Sequence, residues 1–142
     1  MYCTMEDLRL VVPPQTLVWL SNDEHDATEP NVAIVQESIR QATEQVNAYI
    51  RNRYTLPLEP IPTLVKDITV NLARHWLYSR RPEGHDFPEA VTRTYKDALA
   101  LLAMIRDNKV SLGIRNDEAD APEPGAMKVK AKPKLFDWSR YK

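Results

Sequence analysis

From Asn31 onward, apolar and small side chains recur at Val32, Val35, Ile39, Ala42, Val46 and Tyr49, with Arg53 the next in register. Steps that alternate between three and four residues trace one narrow stripe on a helix of 3.6 residues per turn. The pattern predicts a helix over about 30–53, near 35 Å long at about 1.5 Å per residue. Gln36, Glu37, Arg40, Gln41, Glu44, Gln45, Asn47 and Arg51 fill the intervening positions as a solvated face. Leu56-Pro57-Leu58-Glu59-Pro60 follows, and its two prolines forbid helix and bias the preceding residues to extended geometry. This rigid elbow is expected to be anchored in the core by Leu56 or Leu58.

Beyond the elbow, Pro62 suits a first helical turn, and Leu64, Val65, Ile68, Leu72 and Trp76 mark a buried face with Ala73 and Leu77 beside it. Lys66, Asp67, Thr69 and Arg74 are expected outside. Arg80, Arg81 and Pro82 close this second long helix, predicted over about 62–81. Asp86 as N-cap, Pro88 in the first turn and Glu89 completing a capping box open a third, over about 86–107. Its apolar face is Val91, Tyr95, Ala98, Leu101, Leu102 and Ile105, and Val110–Ile114 reads as a short extended segment. At the other end, Thr4 and Asp7 form a capping-box-like start to a short helix ending before Pro13-Pro14, and Gln15–Leu20 makes another short turn. These two pieces should lie across the bundle as a lid, and residues 21–30 read as a polar acidic loop. The fold class expected is all-α: a small antiparallel bundle of three longer helices with short N-terminal helices and an extended C-terminal tail. Val35, Ile39, Val46, Ile68, Leu72, Trp76, Ala98, Leu102 and Ile105 should be buried together.

Composition changes after Ile114. Residues 1–114 are expected to form the helical domain, and residues 115–142 an extended or disordered arm. The arm opens acidic and proline-bearing (Asp117, Glu118, Asp120, Glu123), then turns basic at Lys128, Lys130, Lys132 and Lys134. It holds seven basic against five acidic residues, whereas the body holds twelve against fifteen. Such a segment buries too little apolar surface to offset its ordering entropy alone, yet it ends in Phe136, Trp138 and Tyr141.

The 142 residues suit one domain, 43% of them apolar and 27% charged, with a net charge of -1 that recruits neither nucleic acid nor membrane. No apolar run approaches the length of a membrane span, and the acidic pair near the start argues against a signal peptide. Three glycines make a phosphate-cradling loop improbable. The single cysteine, Cys3, on a frayed terminus, reads as incidental rather than nucleophilic. His75 and His85 are the only histidines near one another, without HExxH or paired-cysteine spacing. No GxSxG elbow supports nucleophilic catalysis. Neither an enzyme activity nor a cofactor or metal is expected. The aromatics Tyr49, Trp76 and Tyr95 read as core residues rather than a ligand cage.

Arg51, Arg53, Arg80 and Arg81 lie at helix C-terminal ends, where complementing the macrodipole accounts for them. The sharper reading makes them a basic rim facing an acidic partner or passing nucleic acid. With the arm's four lysines and three aromatics they are the candidate interface residues.

The sequence resembles a family of small proteins from Mu-like phages and prophages, encoded among head-morphogenesis genes. The resemblance lies in Met1–Leu8, in Ala48–Leu58 with its RY-x-LPL elbow, and in the Pro62-Thr-Leu64 to Asp67-Ile68 helix opening. It continues through the Tyr95–Leu101 helix, Val110-Ser-Leu-Gly113 and an aromatic C-terminus. The family looks like the helical head-to-tail connector proteins of long-tailed phages. The resemblance implies a homo-oligomeric ring, usually of twelve subunits, docked on the portal and receiving the tail through a tail-proximal connector or terminator protein. DNA would only pass through its channel, no membrane would be involved, and the protein would assemble in the host cytoplasm and end in the virion. No catalytic or ligand-binding motif comes with the family. The alternative is a DNA-binding or packaging module from the same gene neighbourhood, using the basic helix ends; steep weakening with salt would mark it.

Overall fold

The computed structural model describes residues 1–80 and 87–114. Among them are five helices and no strand: α1 (Met5–Arg9), α2 (Pro14–Ser21), α3 (Val32–Ile50), α4 (Thr63–Ser79) and α5 (Glu89–Arg106). The last three pack against one another, and α1 and α2 lie on α4 and α3. Side-chain contacts fix the helix directions. Arg53, just past α3, donates to Asn108, just past α5, and the Arg106 guanidinium lies 5.6 Å from the centre of the Tyr49 ring. The C-terminal ends of α3 and α5 therefore meet. Late in α4, Arg74 donates to Thr94 near the start of α5 at 2.8 Å, so α4 runs antiparallel to both.

Why these segments become helices is visible at their starts. The Thr4 hydroxyl accepts from the Asp7 amide while the Asp7 carboxylate accepts from the Thr4 amide, the expected reciprocal box. Asn31 caps α3 by accepting from Ala33 and Ile34. Two sequence expectations shift here. α4 starts at Thr63 with Pro62 as its cap, and α5 at Glu89 with Pro88 as its cap, neither with a side-chain capping bond. A proline locked near φ −60° can lead into the first turn without one; Asp86, expected as the cap, lies outside the described residues.

Of the nine expected core residues, eight are buried and Trp76 is half-buried at the edge. Tyr49 and Tyr95 likewise pack on the core's rim. The α3 stripe holds from Val35 to Val46 and extends to Ile50, but Val32 is exposed because it sits in the first turn of the helix. Thr69, expected outside, is fully buried; its hydroxyl donates to the Val65 carbonyl at 2.7 Å, so a polar side chain enters the core already satisfied. Arg74 is half-buried at the α4–α5 seam.

Cys3 does not sit on a frayed terminus. Tyr2 and Cys3 are buried, at 2% and 4% exposure. The Tyr2 amide donates to Thr43 on α3, its hydroxyl donates to Asn47 at 2.6 Å, and the same hydroxyl accepts from the Leu58 amide of the elbow at 3.2 Å. One tyrosine thus ties the N-terminus, the last turns of α3 and the elbow together. Replacing Tyr2 with Phe keeps the ring but leaves the Leu58 amide without its acceptor. Urea unfolding should register a loss of about 1–3 kcal/mol, the cost of an unsatisfied buried donor. An unchanged midpoint would show that the hydroxyl is dispensable.

The elbow itself is ordered as expected, with Leu58 buried, Leu56 half-buried against the core, and both Leu56–Pro57 and Glu59–Pro60 peptide bonds cis. Residues 110–114 form no strand but pack Val110, Leu112 and Ile114 on the core, and the Leu112 amide donates to the buried Tyr54 hydroxyl.

Candidate functional site

The antiparallel course of α4 decides what the basic helix ends can do. Arg51 and Arg53 follow α3, so they lie at the end of the bundle where α5 also finishes. Arg51 is exposed, Arg53 half-buried and engaged with Asn108. Arg80 follows α4 and so lies at the opposite end, where its guanidinium donates to the Leu20 carbonyl at 2.6 Å and to Asp23 at 3.0 Å. Only 18% of its side chain is exposed. Arg80 staples α2 to the end of α4, and it shares no rim with Arg51 and Arg53. Arg81 and the arm residues Lys128, Lys130, Lys132, Lys134, Phe136, Trp138 and Tyr141 lie outside the described residues.

Groups that could do chemistry are dispersed. Among the described residues no three His, Cys, Asp or Glu side chains converge as a metal site would require. His75 stacks on Tyr95 with ring centres 3.7 Å apart and meets Phe87 edge-on at 5.2 Å. Burial holds its pKa below the usual histidine value, so it stays neutral at pH 7. Its role is that of a flat aromatic spacer between α4 and α5. His85, its possible metal partner by sequence, lies outside the described residues. Burial, with the Asp7 carboxylate adding to it, pushes the Cys3 thiol up to about 12. A thiol that remains protonated is a poor nucleophile. On the outer side of α3, Arg40 and Gln41 hydrogen-bond the Glu37 carboxylate and lower its pKa to about 2, the signature of a surface ion pair.

The feature that sequence reasoning missed is a concavity. Met1, Tyr2 and residues 57–61 enclose an open groove of about 640 Å³ at the α3 C-terminal end of the bundle. Tyr2 and Leu58, each 2% exposed, form its floor, and Met1 and Ile61, at 58% and 39%, form apolar lips. Among the described residues, Glu59 is the only acidic or basic side chain lining it. Its volume falls in the range of clefts that hold a compact ligand or a few side chains (about 300–1,000 Å³). Nothing periodic announces such a groove, because it joins the first residues to a segment more than fifty positions later. The one available signal was the density of proline and leucine in the elbow, which keeps backbone and apolar surface at the exterior.

Fold and surfaces together define a small all-helical protein with an apolar groove, in which no described helix is long and apolar enough to cross a membrane. The chain belongs to the bacteriophage Mu Gp36 family, whose model matches residues 2–131. It is 26% identical to "Gene product J" of Escherichia phage Mu over 136 residues, 95% of this chain and 93% of that protein. To the "Mu-like prophage FluMu protein gp36" of Haemophilus influenzae it is 27% identical over 114 residues, 80% of this chain and 74% of the relative. The Mu-like phage family that the sequence resembles is therefore the one it belongs to.

Proposed function

We propose that this protein is a structural component of the virion at the head–tail junction. Its copies form a ring that docks on the portal and receives the tail through a tail-proximal connector or terminator protein. The observation that carries this reading is the family match itself, which extends through residue 131 and so joins the helical body to most of the charge-segregated arm. A body with a tightly packed core and an arm ending in Phe136, Trp138 and Tyr141 suits a part that makes contacts rather than turns over substrate. We assign it no enzymatic activity.

The alternative, a DNA-binding or packaging module, needs the basic helix ends to act together on one backbone. Arg80 sits across the bundle from Arg51 and Arg53 and is occupied by Leu20 and Asp23, which weakens that reading. The test is the mass of the purified full-length protein in solution, alone and mixed with the portal. The connector role predicts a discrete assembly on the portal. A strict monomer that ignores the portal would overturn it, and a DNA complex that weakens steeply with salt would favour the alternative.

A further inference from the structure

We propose that the groove bounded by Met1, Tyr2 and the elbow receives the aromatic end of the arm, Leu135–Tyr141, from a neighbouring copy of this chain. The choice of a neighbour rests on the ring reading above, and the groove adds to it a defined receptor site.

The groove has the properties such an occupant needs. Its lining includes two exposed apolar side chains, Met1 and Ile61, beside a floor that is already packed. Phe and Trp each bury about 150–250 Å² when they find a pocket, and they dominate interfaces of this kind. Glu59 at the rim offers a carboxylate to Arg140 or Lys134, which bracket the aromatics. The charges agree at longer range as well. Residues 126–142 carry six basic and one acidic side chain, whereas residues 1–114 carry twelve basic and fifteen acidic. Opposite signs steer association and set its register.

Chain length allows the neighbour to be reached. The Leu112 amide is bonded to Tyr54, and Ile114 packs on the core, so the arm leaves the body at the α3–elbow end that also holds the groove. A return to the chain's own groove has only one end of the bundle to cross. The twenty residues from 115 to 134 can span about 70 Å when extended. A body of about 110 residues has a radius of gyration of only about 13 Å. That reach carries the aromatics across an adjoining body. An arm seated in the next subunit is a head-to-tail contact, the kind that closes into a ring.

Cross-linking of full-length chains tests this. One preparation carries Ile61→Cys at the groove lip; a second, distinguishable by mass, carries Ser139→Cys beside Trp138. The two are mixed with and without portal and treated with a short bismaleimide. Cys3 stays silent because it is buried and its thiol remains protonated. The expected result is a 61–139 cross-link between the two preparations, several-fold above that of a Lys96→Cys control on the exposed side of α5. Adding Trp138→Ala to the Ser139→Cys chain should reduce it several-fold. Equal yields at positions 61 and 96, or no cross-link between the two preparations in either condition, would each overturn the proposal. The readout involves only copies of this chain, so a failure to bind portal and a failure of the groove are separately visible.

Discussion

Leu58→Ala should be the most damaging single truncation in the elbow, lowering the free energy of unfolding by about 2–5 kcal/mol. Leu58 is 2% exposed and belongs to the central apolar cluster, although it lies between two prolines on a stretch without regular secondary structure. Such a stretch has no ladder of backbone hydrogen bonds to hold it. The hydrogen bond that its amide donates to the Tyr2 hydroxyl and the side chain beneath are what fix it in place. Removing the side chain leaves a cavity under the groove floor, and the flanking prolines, each with φ fixed by its ring, limit how far the backbone can collapse into it. At about 4 °C per kcal/mol, between the values for smaller and larger domains, the melting temperature should fall by roughly 8–20 °C. Leu56→Ala is the internal control: Leu56 is half-buried, so its loss should be clearly smaller. Two variants that melt like the parent would mean that the elbow is not anchored.

That elbow also shows what could be read from the sequence and what could not. Pro57 and Pro60 announced a break and an extended path, and the leucines on either side of Pro57 announced an anchor. Which leucine reaches the centre depends on the turn geometry, and sequence reasoning left Leu56 and Leu58 equivalent. The long helices were legible because burial repeats along them at helical spacing, as from Val35 through Ile39 and Ala42 to Val46. Polarity misled at Thr69, and also concealed Ser21 and Ser38. All three are buried because their hydroxyls donate to carbonyls three or four residues back, a satisfaction invisible to a count of apolar positions. The burial of Tyr2 and Cys3 arises from contacts more than forty residues away in the chain, which local patterning does not encode. The groove follows from those same contacts.

The basic helix ends illustrate a different limit. Sequence places Arg51, Arg53 and Arg80 in the same chemical category, each just beyond a helix. Only the direction of α4 separates them, leaving Arg80 to bind α2 while Arg51 remains exposed at the other end. Arg80 is thus accounted for by the fold, and Arg51 is the residue of the group still free to face a partner through exposed surface.

Deleting residues 115–142 should separate folding from assembly. Among the described residues, the apolar cluster that holds the body together runs from Tyr2 to Leu112, with Ile114 packed against it, and none of these is removed by the truncation. Stability should therefore change by no more than about 0.5 kcal/mol, as for changes away from the core. Association should be lost altogether. The removed segment pairs a polar, proline-bearing linker with Phe136, Trp138 and Tyr141, and a linker of that composition cannot bury such side chains by itself. Their apolar area is recovered only on another surface, where aromatic anchors carry much of the binding energy. Lys128, Lys130, Lys132 and Lys134 would speed the encounter with a body that is acidic on balance, so assembly of the intact chain should slow as salt rises. The rival arrangement has the arm folded back to cap its own bundle, and it predicts the reverse of each result. Melting curves of the two chains, followed by their masses with and without portal, decide between them. A truncated body that melts far below the parent yet still assembles would remove the arm from the assembly interface and make it part of the fold.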